Sequence, residues 1–325
     1  MPEIVKRADL HVHTRFSAWK HLRIIKPRDS YNDPLEVYEA CRRLGMDFVP
    51  ITDHDTVDGA LDLLSRRPDL EPRVIIGEEV ETWFPDTGQW VHVNVFGIDE
   101  SDHNQIQHLK ENVYDLVGWL RERGVFHVLN HPFQSYRVQK GALAFIEEIL
   151  GLFDHFEVGN TTLSARHNRT VAEMLDYATA LYTRKHGVGG SDAHHMRNVG
   201  MYCTEATVAE EGGWREWLES LSRGGGRAVG RTIGAGSLTA NIYRIIGQYY
   251  LSLRDPEVRR HMRAENYVAA ALLAPACIAG VPAFLNLGNS LRLEAVTLYL
   301  RLALRESLKP RRGVEPEEAL EDPPG

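Results

Sequence analysis

A short apolar stretch leads into two histidines at ADLHVHT, residues 8–14. Its alternation predicts a strand over residues 8–13, and side chains two positions apart on a strand point to the same face. His11 and His13 can therefore reach one metal ion. Neutral imidazole is a common ligand of zinc, manganese and iron. This stretch makes a metal-binding α/β protein the first hypothesis.

Clusters of histidine and carboxylate recur along the chain, mostly where a predicted strand ends. They are ITDHDT at 51–56, GEEVET at 77–82, NHPF at 130–133 and GGSDAHH at 189–195. His92 and Glu157 add to them from two further predicted strands. In parallel α/β folds the carboxyl ends of the strands meet at one edge, where active sites are built. About eight such groups exceed the needs of one tetrahedral ion, so they predict two or three divalent ions, of zinc, manganese or iron.

Short apolar runs alternate with helical patterns through the first 230 residues. Strands are predicted over residues 8–13, 48–52, 74–77, 91–98, 126–130, 155–158, 187–191 and 202–206. Helices are predicted over residues 34–44, 56–67, 101–123, 141–150 and 165–184. This alternation predicts a largely parallel sheet, open or closed into a barrel.

Composition narrows the class of protein. With 325 residues, 43% hydrophobic and 25% charged, the chain has the profile of a soluble globular protein. A net charge of −8 argues against a dedicated nucleic-acid binder, but bound ions would still let the chain accept a phosphorylated substrate. The three scattered cysteines (Cys41, Cys203 and Cys277) predict neither a disulfide framework nor a thiolate zinc site. The first residues lack the apolar core of a secretory signal, so we expect a cytoplasmic protein.

The pattern changes at a glycine-rich stretch near Gly236. Residues 238–305 predict helices only, with eight arginines against four acidic residues. We expect a barrel domain over residues 1–234, a helical extension over 235–308 and a disordered tail over 309–325.

Residues 266–291 contain no charged residue. This uncharged segment is long enough to span a membrane. However, alanine dominates the segment, and Pro275, Gly280 and Pro282 interrupt it. We expect a buried helical hairpin packed on the main domain. A membrane span or an interfacial attachment is the alternative.

Taken in order, the five motifs resemble those of the PHP (polymerase and histidinol phosphatase) family. The resemblance covers about residues 4–230. It implies a distorted (β/α)7 barrel that binds up to three divalent ions, here followed by a C-terminal all-helical extension outside the family pattern. Members include histidinol-phosphate phosphatases, nucleotide phosphoesterases, and exonuclease or proofreading domains of bacterial DNA polymerases.

The resemblance implies eight metal ligands, and one carboxylate bridges two ions. The first ion takes His11, His13, Glu79 and Asp192. The second shares Glu79 and adds His92 and His131. The third takes His54 and His194.

The choice of Glu79 rests on the family motif. Strand alternation places Glu79 and Glu81 on one face and Glu78 on the other, so alternation alone leaves the ligand open. The family motif has a glycine two positions before its ligand, and Gly77 meets that condition.

One position departs from the family. The family usually has an aspartate five residues after the second histidine, where this chain has Ala18. A longer segment, residues 19–32, follows. The third ion therefore lacks its carboxylate unless His21, Asp29 or Asp33 replaces it. We expect two tightly held ions with a weak or empty third site. The alternative is a third ion completed by this insertion or by the substrate's phosphate.

The predicted function is metal-dependent hydrolysis of a phosphate mono- or diester, on a small phosphorylated substrate or a short nucleotide. A metal-activated hydroxide would attack phosphorus. The candidate proton donors to the leaving group are Asp53, His194 and His195. The candidate phosphate-binding residues are Arg15, Arg137, Arg166 and Arg197.

Two other functions compete with phosphoester hydrolysis. One is a metallohydrolase that cleaves a carbon–nitrogen bond, which the absence of a motif lysine placed as a bridging ligand mildly disfavours. The other is a regulatory metal-binding module whose helical extension binds a partner or a membrane.

Overall fold

The computed structural model describes residues 2–17, 28–137, 141–181, 184–256 and 263–307. Ala18, His21 and the predicted tail 309–325 lie outside the described residues. The described chain is a mixed α/β protein with a six-stranded sheet, a three-stranded sheet and a helical C-terminal part.

The strands form two sheets. Their bounds are β1 Glu3–Ala8, β2 Val49–Ile51, β3 Val74–Phe84, β4 Gln89–Phe96, β5 Phe126–Asn130, β6 His155–Asn160, β7 His186–Gly190, β8 Tyr202–Ala209 and β9 Arg227–Gly230. The larger sheet has the order β2-β3-β4-β5-β6-β7, and the smaller one has the order β1-β8-β9 with antiparallel pairing.

The larger sheet is less parallel than predicted. β4 is antiparallel to both β3 and β5, whereas the other neighbours in this sheet are parallel. A tight turn causes the reversal: the amide of Gly88, at φ +63°, donates to the carbonyl of Phe84 at 2.8 Å. The start of β4 therefore lies beside the ends of β3 and β5. This arrangement brings His92 to the edge where the predicted ligands gather, since it pairs with Glu81 on one side and Asn130 on the other.

The first two predicted ligands lie beyond their strand. β1 ends at Ala8, so the predicted strand 8–13 is wrong in its bounds, and His11 and His13 lie on the segment that follows. Backbone hydrogen bonds link this segment to the two outer strands of the six-stranded sheet. The amide of Thr52, after β2, donates to the Val12 carbonyl, and the His13 amide donates to the carbonyl of Ala193, after β7.

Glycine is required where this segment passes β7. A Cβ atom on Gly190 would lie 2.4 Å from the Cβ of His11, far inside van der Waals contact. The absence of a side chain at this position therefore lets the histidine segment lie against the end of β7.

The helices connect and cover the strands. Their bounds are α1 Pro34–Arg43, α2 Asp58–Arg66, α3 Glu100–Leu109, α4 Val113–Arg123, α5 Ala142–Leu152, α6 Ala165–Leu181, α7 Trp214–Ser222, α8 Ala235–Ser252, α9 Ala264–Ile278 and α10 Val281–Ser307, with a short 3-10 turn at Pro68–Leu70.

Local capping explains where the helices begin and end. Asp33 caps α1 by accepting from the Leu35 amide, and proline occupies the first helical position. The predicted helix 101–123 is two helices, because the side chain of Asn112 accepts from the Tyr114 amide and starts a second one. Gly124, at φ +69°, ends it.

The helical extension packs on the α/β part through α10. Leu300 and Leu304 are buried in the core cluster that also contains residues of α5 and α6. The guanidinium of Arg301 holds the carboxylate of Glu173 on α6, with Nε and Oε2 2.7 Å apart. The predicted association of the extension with the main domain agrees with these contacts.

The predicted buried hairpin is not buried. α9 and α10 meet at 69° across the break at Gly280, and the side chains around the break are exposed: Ile278 by 87%, Phe284 by 76% and Leu272 by 74%. Among the described helices, none is by itself long and apolar enough to cross a membrane. The bent pair α9 and α10 meets that test only jointly, on length and composition.

Candidate metal centre

The carboxylate of Glu79 is the hub of the site. Its Oε2 lies 3.2 Å from His11 Nε2, 3.3 Å from His13 Nε2 and 3.1 Å from His54 Nδ1. Its Oε1 lies 3.0 Å from both His92 Nδ1 and His131 Nε2. The four imidazoles predicted to share ions with this glutamate therefore meet at its two oxygens, and His54, predicted to bind the third ion, meets them there as well.

Strand alternation sorts the three glutamates of β3 as predicted. Glu79 and Glu81 face the site, where Oε2 of Glu81 lies 3.6 Å from His92 Nε2. Glu78 lies on the opposite face, bonded to His103 and Gln107 of α3. Glu79 lies within β3 rather than after it, because the strand runs on to Phe84.

Asp192 and Asp29 add two further carboxylates beside the histidines of the site. Oδ1 of Asp192 lies 3.5 Å from both His11 Nε2 and His13 Nε2, and 3.3 Å from His194 Nδ1. Oδ2 of Asp29 lies 3.3 Å from His54 Nε2 and 3.7 Å from His194 Nε2.

Asp29 therefore occupies the place where the sequence lacked a carboxylate. The hydroxyl of Ser17 donates to its Oδ2 at 3.1 Å, so the chain returns a carboxylate beside the residue that precedes Ala18. Asp33 instead caps α1. A third ion completed from the inserted segment stays a prediction, and among the described residues Asp29 is its candidate carboxylate.

Glu157 positions two of the imidazoles. Its Oε1 lies 2.9 Å from His11 Nδ1, and its Oε2 accepts from the His131 amide at 3.0 Å. A carboxylate on the far nitrogen of a metal-binding histidine fixes the ring orientation and raises its basicity. The sequence showed Glu157 beside a predicted strand but gave no sign of these bonds, which depend on the pairing of β5 with β6.

Several buried nitrogen and oxygen atoms of the site have no hydrogen-bond partner. They are His11 Nε2, His13 Nε2, His92 Nδ1 and Asp29 Oδ1. Buried polar atoms are ordinarily bonded, because leaving one unpaired costs about 1–3 kcal/mol. The imidazole nitrogens lie near carboxylate oxygens without the angle of a hydrogen bond. These unpaired atoms, together with a nitrogen and oxygen donor set, fit divalent metal ions.

The backbone is strained at the same place. Three described residues other than glycine have positive φ: Asp55 at +50°, His131 at +26° and Asp192 at +53°. Two of these are predicted ligands. Such conformations cost of order 1–3 kcal/mol and gather at functional sites.

The imidazoles keep the two central carboxylates ionised. Burial by itself would raise the pKa of Glu79, but His11, His92 and His54 hold the pKa of this carboxyl well below its usual range. In the same way, burial opposes ionisation of Asp192, and His11 and His13 outweigh it and lower the pKa. Both groups are therefore anionic at neutral pH, as metal ligands must be.

The predicted proton donors separate into two kinds. His194 and His195 line the cavity above the cluster. Asp53 does not: it is fully buried and accepts from the amide and hydroxyl of Thr14. Both of its oxygens anchor the histidine segment, so these contacts lend no support to Asp53 as the proton donor to the leaving group, and that role stays a prediction.

The predicted phosphate-binding arginines also separate. Arg137 lines the cavity, and so does Arg28, which the sequence did not single out. Arg15 instead pairs with Asp33 and Asp62 on the outside, and Arg166 pairs with Glu294 of α10.

Arg197 is exposed and is not among the described residues that line the cavity. Of the arginines predicted to bind phosphate, Arg137 is therefore the one found among the described residues that line the cavity.

Comparison with known proteins gives one relative by sequence. The chain is 32% identical over 181 residues to Uncharacterized protein MJ1587 of Methanocaldococcus jannaschii, which is 55% of this chain and 99% of that protein. No family model matches the chain.

Solved structures with similar folds share little sequence with the chain. A provisionally assigned metal-dependent phosphoesterase of Bifidobacterium adolescentis is 15% identical, covering 67% of this chain and 96% of its own, with a TM-score of 0.45. PsfC from Pseudomonas syringae is 16% identical, covering 77% and 98%, with a TM-score of 0.47. At these values neither structure assigns a reaction to the chain.

Proposed function

The chain belongs to the same family as the Methanocaldococcus jannaschii protein, and from its site we propose that it is a metal-dependent hydrolase of phosphate esters. The observation that carries this proposal is the cluster around Glu79, where five imidazoles and two further aspartates converge with unpaired buried atoms.

The proposed ligands form three groups, and the distances within the cluster support them. His11, His13, Glu79 and Asp192 would hold the first ion. Glu79, His92 and His131 would hold the second. His54, His194 and Asp29 would hold the third. Imidazole and carboxylate together suit zinc, manganese or iron better than calcium.

Divalent ions held there would activate a water molecule and neutralise charge on the phosphate oxygens. Arg137 and Arg28, which line the cavity, would bind the remaining phosphate oxygens, because guanidinium recognises phosphate through paired hydrogen bonds. His195 lines the cavity and would give its proton to the leaving oxygen. His194 faces Asp29 and Asp192 and acts as a ligand in this proposal.

The fold proposed with this function is a distorted barrel of seven strands. Residues 9–14 bond to the chain after β2 and after β7, which supports a ring closed through this segment. Closure would carry the proposed ligands to one mouth, the place where active sites of (β/α) barrels are built.

Cleavage of a carbon–nitrogen bond gains no support from the site. The described residues that line the cavity include no lysine, so a bridging lysine ligand has no candidate there. Arg137 and Arg28 at the mouth favour an anionic group such as phosphate.

The test compares His13→Ala with His108→Ala, which removes an exposed histidine from α3. We expect His13→Ala to lose at least about tenfold in metal affinity and in hydrolysis of p-nitrophenyl phosphate or bis-p-nitrophenyl phosphate, and His108→Ala to lose neither. Metal content is measured by elemental analysis after dialysis. Full metal content in His13→Ala, or turnover confined to amides, would refute the proposal.

A further inference from the structure

The metal cluster opens into a cavity that the reaction alone does not explain. The cavity volume is about 1560 Å³, and it extends from His54, His131 and Asp192 to the three helices of the extension. Pockets for drug-sized molecules occupy roughly 300–1,000 Å³. A small phosphate ester would leave most of this space unfilled.

The two ends of the cavity differ in chemistry. The metal end carries imidazoles, carboxylates and arginines. The far end is apolar, with walls from α8, α9 and α10 that include Ile242, Ile245, Ile246, Leu273, Ala276 and Val281. Among the described lining residues of these helices, Glu294 is the charged one, and it pairs with Arg166 at 3.0 Å.

Three polar groups of the far end are already bonded within the chain. Asn241 donates its amide to Asn198, and Asn286 donates its amide to the hydroxyl of Thr239. The hydroxyl of Tyr250 donates to a backbone carbonyl of α9. A ligand in this end would therefore meet apolar surface and no unpaired hydrogen-bonding group among these.

Apolar side chains that line this end remain open to solvent. Leu273 is 44% exposed, Leu285 63% and Leu291 64%. Contiguous apolar surface of this kind commonly marks a binding groove. Its continuity with the metal cluster indicates that one ligand spans both.

We propose that the substrate is a phosphate ester of a long-chain alcohol, with the phosphate at the metal cluster and the hydrocarbon tail among α8, α9 and α10. The inference rests on the proposed phosphoesterase function and names its substrate class. Hydrolysis would break the bond between phosphorus and the ester oxygen. Water would supply the oxygen that phosphorus gains and the proton that the departing alcohol takes.

The test uses the full, metal-loaded chain and a series of n-alkyl phosphates from ethyl to dodecyl, each below its micelle-forming concentration. Released inorganic phosphate is measured. We expect kcat/KM to rise by up to about fourfold for each added methylene until the cavity is filled, because burying one methylene contributes about 0.8 kcal/mol. A flat series with ethyl phosphate hydrolysed would overturn the tail proposal and leave the phosphoesterase intact. Hydrolysis of no ester in the series would refute both.

A matched pair of variants locates the tail. Ala276 lines the cavity on α9, whereas Ala271 on the same helix is exposed and is not among the described lining residues. Ala276→Phe should lower kcat/KM for dodecyl phosphate by about tenfold or more and leave ethyl phosphate unchanged. Ala271→Phe should change neither.

A second variant keeps the test decisive if Ala276→Phe does not fold. Val281→Phe narrows the cavity from α10 and should give the same selective loss. An equal effect on all chain lengths in both variants would overturn the proposal. The proposal would also be overturned if both variants kept the preference for long chains and the chain formed a stable dimer that covers these helices.

Discussion

At the scale of single residues, Asp29 is the proposed carboxylate ligand of the third ion. Its side chain is 3% exposed, its Oδ1 has no partner, and its Oδ2 faces His54 and His194. Two neutral imidazoles alone bind an ion weakly, and a carboxylate supplies the missing charge. We expect Asp29→Asn to lower the bound metal from three ions per chain to two, measured by elemental analysis after dialysis.

Two controls accompany Asp29→Asn. Asp69→Asn removes an exposed carboxylate that pairs with Arg67 and should leave three ions bound. Asp29→Asn combined with His194→Ala should lose no more than the one ion, because both would serve the same site. Three ions retained by Asp29→Asn after dialysis would refute the assignment of Asp29 to the third ion.

A second prediction concerns a histidine far from the cluster. Burial lowers the pKa of His155 from 6.5 to about 4, although its Nε2 donates to the Leu221 carbonyl. Below pH 6.5 the unfolded chain takes up this proton and the folded chain does not. The free energy of unfolding should therefore fall as pH drops from 6.5 to 4, by about 3 kcal/mol at most.

His155→Gln isolates this contribution, because glutamine keeps a donor for the carbonyl and does not titrate. Denaturant unfolding between pH 7 and 4 should give a shallower pH dependence for His155→Gln than for the parent chain. His108→Gln, at an exposed site, should follow the parent. Parallel curves for the parent and His155→Gln would show that His155 does not carry the effect.

At the scale of elements, the sequence was most informative where the motif residues follow strands. Imidazoles and carboxylates near strand ends must share an edge in a parallel sheet, so the cluster could be predicted without contacts. The direction of β4 was missed although a signal was present. Asp86, Thr87 and Gly88 form a turn sequence between two β-rich runs, which is typical of a hairpin.

The faces of the C-terminal helices could not be predicted. Residues 267–285 are almost wholly apolar, so no polar side marks which face meets solvent. Composition therefore predicted helices correctly, but it also predicted that this hairpin is buried, whereas the structure leaves many of its apolar side chains exposed. The partner of α10 also depends on contacts distant in sequence, since Arg301 pairs with Glu173.

The docking of α10 yields a prediction of its own. Leu300 is fully buried in the core cluster, and Leu302, two residues on, is 56% exposed. Leu300→Ala should lower the free energy of unfolding by about 2–5 kcal/mol, because it removes packed atoms and leaves a cavity. Leu302→Ala should change it by less than about 0.5 kcal/mol. Equal effects in denaturant unfolding would mean that α10 does not dock through this face.

At the scale of the whole molecule, the site ties together parts of the chain that are distant in sequence. Glu79 comes from β3, whereas His11, His131 and Asp192 come from three connections that follow strands, and the cluster joins them at one edge of the six-stranded sheet. Ions held by these groups would link those connections to each other. Metal binding and folding stability should therefore be coupled.

Removal of metal tests this coupling. A ligand that binds only the folded chain raises the free energy of unfolding by about 2.7 kcal/mol at 100 times its Kd, and each tight ion adds its own contribution. We expect chelation to lower the Tm of the full chain by several degrees, and zinc or manganese to restore it. In His13→Ala the shift should shrink, since the site has lost a ligand. Calorimetry follows both chains in parallel. Elemental analysis would show whether the chelated chain has lost its metal. An unchanged Tm in such a chain would mean that protein contacts alone, such as that between Glu157 and His11, hold this edge of the sheet in place.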